Sequence, residues 1–316
     1  MDKYLKKHYL GIDTSNYRTS VAVVDEGGRI LYNHRELLKV PEGERGMRQS
    51  EAFFHHVQRL PDALVPALEY RDSLKAIAVS TRPRPREGSY MPCFTAGTAC
   101  AREIACALNV PLHEVSHQEG HIEAVKYYSS LKDTDDIIFF HFSGGTTEAV
   151  YRGEIVGGSK DISYGQVLDR IGVRLGYAFP SGEELDRIAL NSNDRSNILT
   201  SIKVSDGELN LSGIESQAKR AIDNMDDLKL NPEIIVNELM DKLSDSVIRM
   251  TDQLVKKCNC KNSIFAGGFS SSEYLRKKLK ENLPTDINYV FGPPELSGDN
   301  AVGVALLALK AEKGDE

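Results

Sequence analysis

The sequence predicts a duplicated α/β fold, and three observations lead there. Tyr9–Ser15 and Thr19–Asp25 read as two strands joined by a short polar turn, with Glu26-Gly27-Gly28-Arg29 turning into Ile30–Asn33. The same scheme returns at Asp136–Phe142, Ser143-Gly144-Gly145-Thr146-Thr147, Glu148–Tyr151 and Ile155–Gly158. Between and after these meanders, short apolar strands alternate with helical periodicities, in a chain whose 316 residues allow about two domains.

Taken in order, a helix is expected over Ser50–Glu69. Phe53, Phe54, Val57, Leu60, Leu64 and Leu68 share one face, and Pro61 is a candidate break or kink. Leu74–Ser80 is a buried-type strand, Ala96–Leu108 a small-residue helix and Leu112–Ser116 a strand, with a helix opening at His117. In the second half, Gln166–Leu175 and Glu183–Leu190 read as helical. Asn231–Cys258 is a long amphipathic helix with Leu239, Leu243, Val247, Met250 and Leu254 at core spacing. Ser263–Ala266 is a strand, Ser271–Leu283 a helix, Ile287–Phe291 a strand, and an Ala-rich helix runs from about Asn300 to Lys310.

Composition narrows the function. Hydrophobic residues at 41% and charged residues at 27% describe an ordinary globular chain, and no run of about 18 apolar residues offers a membrane span. The N-terminus lacks a signal-peptide pattern, and five cysteines form no disulfide framework, so a reducing cytoplasm is the expected location. The net charge of -7 argues against coating nucleic acid non-specifically but leaves room for a local basic patch. Arg82-Pro83-Arg84-Pro85-Arg86 is such a patch: stiff, extended and cationic, either a solvated loop or a contact for phosphate or nucleic acid.

Three glycine turns are read as following strands: Ser143-Gly144-Gly145-Thr146-Thr147, Pro180-Ser181-Gly182 and Gly267-Gly268-Phe269-Ser270. Paired glycines let backbone N–H groups approach a phosphate, and together the turns point to a nucleotide site. His117-Gln118-Glu119-Gly120-His121 sets two imidazoles at i and i+4, on one helix face, able to share one metal. Glu119 points elsewhere, and its place differs from the metalloprotease order, where Glu directly follows the first His. A third ligand must come from a distance. Asp299, near the start of the last helix, is a candidate whose alternative role is to cap that helix. Cys258-Asn259-Cys260 lacks a second pair and reads as apolar packing at a helix end.

The segments Gly11-Ile12-Asp13-Thr14-Ser15, His117–His121, Ser143–Thr147, Val167-Leu168-Asp169-Arg170, Tyr177–Gly182, Leu211-Ser212-Gly213, Ala266-Gly267-Gly268 and Gly298-Asp299-Asn300 occur in one order along nearly the whole chain. In that order they resemble the TsaD (Gcp) family of tRNA threonylcarbamoyladenosine transferases. The resemblance implies a duplicated actin-like ATPase (ASKHA) fold, with lobes at 1–132 plus 301–316 and at 133–300 around a nucleotide cleft, the second with a helical insertion. It implies one divalent metal, iron or zinc, on His117, His121 and Asp299. It also implies an adenine nucleotide or acyl-adenylate bound by Ser143, Gly144, Gly145, Asp169, Gly182, Gly267 and Gly268, with Asp13, Thr146 and Ser272 beside it. The implied activity is transfer of a threonylcarbamoyl group to N6 of adenosine in tRNA, with TsaB-like and TsaE-like partners; no catalytic residue is assigned. An alternative is a family paralogue that binds nucleotide and metal without transferase activity, acting as a partner or regulator; a metallopeptidase is the weaker rival.

The sequence departs from the family pattern at several places. Asn16-Tyr17-Arg18 stands where Cys and two acidic residues are usual, Thr146 where His follows Gly-Gly, Gln166 for Glu, and Ser272 for Asn. The Arg82–Gly88 segment replaces a Gly-rich one. That pattern fits a divergent paralogue.

Overall fold

A computed structural model describes residues 6–15, 18–38, 47–192 and 197–314, divided into two units: Met1–Lys132 with Glu295–Glu316, and Asp133–Pro294. The chain re-enters the first unit at Glu295, earlier than the expected 301, which places Asp299 in the same unit as both histidines. Asn16 and Tyr17, the expected departures in the first turn, lie outside the described residues.

In the first unit β1 (His8–Asp13), β2 (Arg18–Asp25) and β3 (Ile30–Leu37) form the antiparallel meander. They are followed by α1 (Gln49–Ala67), β4 (Leu74–Arg82), α2 (Phe94–Leu108), β5 (Leu112–Ser116) and α3 (His117–Lys126). The sheet order is β3-β2-β1-β4-β5, with β1, β4 and β5 parallel. Because side chains alternate across a strand, Leu10, Ile12, Val21, Val23, Ile77 and Val79 pack with α1 and α2. Tyr9, Ala22, Val24, Ala76 and Ala78 pack with the C-terminal helix, Val302–Gly314.

The inward face of α1 differs from expectation. Ala52, His56, Leu60, Ala63, Leu64 and Ala67 are buried, while Phe53, Phe54 and Val57 are 38%, 57% and 48% exposed. Small residues face the sheet because α1 lies close against β2, and the bulky ones turn away. The helix runs through Pro61 without ending.

The second unit repeats the plan. It holds β6 (Ile138–Phe142), β7 (Thr147–Tyr151), β8 (Glu154–Ser159), α4 (Tyr164–Arg174), α5 (Gly182–Asn191), β9 (Val204–Ser205), β10 (Glu208–Leu209) and α6 (Ser212–Asp223). Then come α7 (Met225–Leu228), α8 (Pro232–Cys258), β11 (Asn262–Ala266), α9 (Glu273–Asn282) and β12 (Asn288–Phe291). The order β12-β11-β6-β7-β8 mirrors that of the first sheet, and the small β9–β10 hairpin extends it. Leu239, Leu243, Val247, Met250 and Leu254 of α8 are fully buried, as their spacing predicts. Asn231 caps this helix by accepting the Ile234 N–H at 2.9 Å, and Asn259 ends it in the left-handed region. The Cys260 thiol lies buried, 3.3 Å from the Asp136 carbonyl oxygen, in keeping with a packing role.

Candidate metal centre and nucleotide turns

The C-terminal ends of parallel strands are where open α/β sheets gather ligands. In the first unit β1 ends at Asp13, β4 carries Ser80 and Arg82, and β5 delivers Ser116 and then His117. The register sets Ile12 beside Val79 and Arg82 beside Ser116, so these residues crowd one sheet edge.

Helix α3 starts where it does because of a capping box. The Ser116 hydroxyl accepts the Glu119 N–H at 3.2 Å, and Glu119 Oε2 accepts the Ser116 N–H at 2.7 Å. Glu119 is therefore committed to the cap and points away from the histidines' shared face, a capping role that the sequence reading did not assign. The box holds His117 at the first turn and His121 one turn on, their Nε2 atoms 3.0 Å apart. The third group comes from the C-terminal helix approach. Asp299 Oδ1 lies 3.2 Å from His121 Nε2 and 3.5 Å from His117 Nε2. One ligand atom from each of the three residues falls within 4.8 Å of the others.

Asp299 does not cap the C-terminal helix. The Asn300 amide oxygen accepts the Val302 N–H at 3.0 Å instead, leaving the Asp299 carboxylate to the histidines. Close contact between α3 and the C-terminal helix makes this reach possible. A Cβ on Gly303 would overlap the Gly120 carbonyl oxygen and crowd the Ala124 amide, so the two backbones touch glycine to glycine.

Asp13, at the end of β1, stands behind His117, 1% exposed, its Oδ2 2.7 Å from His117 Nδ1. Ser80 donates to the same oxygen at 2.9 Å, and the Ser15 N–H bonds Oδ1 at 2.7 Å. With Nδ1–H donating to Asp13, Nε2 of His117 is directed at the cluster, where a cation would have to displace its proton to gain the lone pair; the carboxylate–histidine arrangement is the one that orients metal ligands. An acid ending a buried strand was visible in the sequence; its partner 104 residues away was not.

Electrostatics agree with this arrangement. Burial works against a charged His117, yet the Asp13 charge and hydrogen bond, aided by Asp299, push its pKa up to about 10. Burial would raise the Asp299 carboxyl, but hydrogen bonds from both histidines hold it well below its ordinary range. Two imidazoles facing one carboxylate, backed by a second carboxylate, form a site built to hold positive charge. A divalent cation fits it: the donors are two imidazole nitrogens and one carboxylate oxygen, a mixed set that suits zinc or iron.

In the second unit the turn after β6 and the turn after β11 lie side by side, since Ala266 pairs with His141 in parallel register. Gly267 adopts φ 94°, and a Cβ there would strike the Phe142 carbonyl, so only glycine allows the turns to touch. Gly144, Gly145 and Gly268 are exposed, with open space where a side chain would project. The Ser143 hydroxyl accepts the Thr146 N–H at 3.0 Å and shapes the first turn, while Ser163, which caps α4, donates to the Gly144 carbonyl at 2.7 Å. Gln166 closes that cap through the Ser163 N–H at 3.1 Å. Asp169 accepts the Ser181 N–H at 2.8 Å and so fixes the turn leading to Gly182, the first residue of α5. It also lines an open recess of about 400 Å³ with Arg170, Val173, Arg174, Lys219 and the 75% exposed Phe179.

Ser272 is buried at the start of α9, donating to Asp186 Oδ1 at 2.5 Å and accepting the Leu275 N–H at 3.0 Å, so it caps that helix.

Comparison with known proteins sets this geometry in a family. The model of the family described as TsaD, tRNA N6-adenosine threonylcarbamoyltransferase, matches residues 34–306. The enzyme of that name from Ligilactobacillus salivarius is 29% identical over 96% of this chain and 91% of its own length. That from Enterococcus faecalis is 27% identical over 98% and 91%. Among solved structures, component A of (R)-2-hydroxyglutaryl-CoA dehydratase from Acidaminococcus fermentans superposes with a TM-score of 0.55 at 14% identity, covering 97% of this chain and 99% of its own. A ROK-family glucokinase from Streptomyces griseus reaches 0.52 at 14%, covering 96% and 99%. These structures establish the actin-like ATPase fold. The family match, over most of the chain, establishes more: this protein belongs to the TsaD family of tRNA N6-adenosine threonylcarbamoyltransferases.

Proposed function

We propose that this chain transfers a threonylcarbamoyl group from an adenylate to N6 of adenosine in tRNA, in a metal-dependent reaction. The observation carrying this reading is the convergence of His117, His121 and Asp299, with Asp13 orienting His117 from behind. In the transfer, the N6 amine attacks the carbonyl of the mixed anhydride, a C–N bond forms, the C–O bond to phosphate breaks, and AMP leaves while the amine loses a proton. His117, His121 and Asp299 would hold the cation, which when bound would supply Lewis-acid polarisation and neutralise developing charge. The chain's own residues do the rest. Asp13 and Ser80 fix the ring of His117, the Ser116–Glu119 cap fixes its helix, and the backbone at Gly144, Gly145 and Gly268 leaves room for phosphate oxygens. TsaB-like and TsaE-like proteins are the partners this reading expects, and the cytoplasm its location. Among the described residues no helix is long and apolar enough to cross a membrane.

The test is to incubate the purified protein with threonine, bicarbonate, ATP and tRNA, with and without such partners, and to measure modified adenosine by mass spectrometry. Metal analysis of the His117→Ala, His121→Ala double variant accompanies it, and equal metal in variant and parent refutes the metal site. A second reading has specific support: Ser272 and Gln166 are both spent on helix caps, where the family pattern has Asn and Glu. A paralogue that binds nucleotide and metal without transferring would show both ligands bound and no modified adenosine.

A further inference from the structure

We infer that Arg82-Pro83-Arg84-Pro85-Arg86 is an RNA-phosphate contact on the rim of the histidine cluster. The inference rests on the reading of tRNA as substrate and adds to it the surface that engages the polyanion. Position is the first argument. Arg82 is the last residue of β4 and pairs in register with Ser116, the residue before His117. The Gln118 N–H, next to His117, donates to the Pro83 carbonyl at 3.1 Å, so the segment is fastened to the first turn of the helix that carries both histidines.

Rigidity is the second argument. Two prolines fix φ at alternate positions and restrict the arginine before each. The Arg84 N–H bonds the Ser89 hydroxyl at 3.0 Å, the Arg86 N–H the Arg84 carbonyl at 2.9 Å, and the Ser89 N–H the Arg86 carbonyl at 3.2 Å. A braced loop loses little entropy when its guanidinium groups engage phosphates, and guanidinium suits phosphate geometry. Charge is the third. A chain of net charge -7 repels a polyanion as a whole, so binding RNA requires a concentrated cationic surface, and this segment places three arginines in five residues. Arg82 and Arg84 are partly exposed and Arg86 is exposed.

The experiment measures affinity of the full-length protein for an unmodified tRNA transcript, and separately for ATP, across a salt series. The proteins compared are the parent, Arg84→Ala with Arg86→Ala, Arg84→Lys with Arg86→Lys, and a charge control on α9, Lys277→Ala with Lys280→Ala. The alanine pair is expected to weaken tRNA binding on the order of 10–100-fold and to lower the salt slope by about 1 for each arginine removed. The lysine pair should restore the slope, and the control and the ATP affinity should match the parent. Unchanged tRNA binding in the alanine pair overturns the inference while leaving the tRNA reading intact. The same holds if the loss appears with ATP only, if the control weakens equally, or if lysine fails to restore the slope. No tRNA binding by the parent overturns both.

Discussion

Asp13 illustrates how one buried side chain governs a site it does not enter. Its carboxylate accepts from His117, Ser80 and the Ser15 backbone, so replacing it with asparagine keeps the shape but removes the charge that sets the imidazole. Asp13→Asn should lower metal affinity about 10–100-fold with the fold retained, as loss of an orienting partner does elsewhere. Competition with a chelator and a far-ultraviolet spectrum check it, and unaltered affinity would show that His117 is held by packing alone. His56 is a second buried residue with a measurable signature. It shares a 2.8 Å hydrogen bond with Thr19 through Nδ1, while Nε2 has no partner among the described residues. Burial lowers its pKa from 6.5 to about 4, partly opposed by the Asp13 charge. The unfolded chain therefore takes up a proton below about pH 6.5 that the native state refuses until about pH 4. This group's contribution to stability is present above 6.5 and is lost as pH falls through that window, at up to about 1.4 kcal/mol per pH unit. In urea titrations from pH 7.5 to 4, His56→Gln should flatten the acid side of the stability curve relative to the parent. Parallel curves would disprove it.

At the scale of elements, the crossing of α3 with the C-terminal helix decides whether a third ligand exists. Gly303 rests on the backbone at Gly120, and Asp299 sits just ahead of that contact. Gly303→Leu should force the helices apart, cost about 1–3 kcal/mol as overpacking does, and reduce bound metal even though no ligand is changed. Thermal melts and metal analysis together read the outcome; full metal content in a destabilised variant would separate packing from ligation. The exposed face of α1 teaches a related point. A period of 3.6 residues identifies a stripe, but which stripe turns inward depends on how near the neighbouring sheet comes. Against β2 the alanines and Leu60 and Leu64 fit, and the two phenylalanines do not.

At the scale of the whole molecule, the metal-type cluster belongs to one unit and the glycine turns to the other. That division predicts a separable lesion. Gly268 has open space where a side chain would point, so Gly268→Leu should fold normally and retain its metal while nucleotide binding falls at least tenfold. Calorimetry with ATP and metal analysis on one preparation decide it, and unchanged ATP affinity would place the nucleotide elsewhere. The repeated meander, the long α8 stripe and the His117–His121 spacing were legible in the sequence because periodicity is a local property of the chain. So were the helix start at His117 and the glycine turns, whose residue types carry their own backbone preferences. The sequence by itself thus determined the duplicated α/β plan and the two imidazoles on one helix face. Only the tertiary structure decided that Asp13 backs His117, that Asn300 rather than Asp299 accepts the Val302 N–H at the start of the last helix, and that Ser272 bonds Asp186. The reason is physical: those outcomes depend on contacts between residues tens to hundreds of positions apart, set by strand register and helix crossing, and no spacing along the chain encodes them.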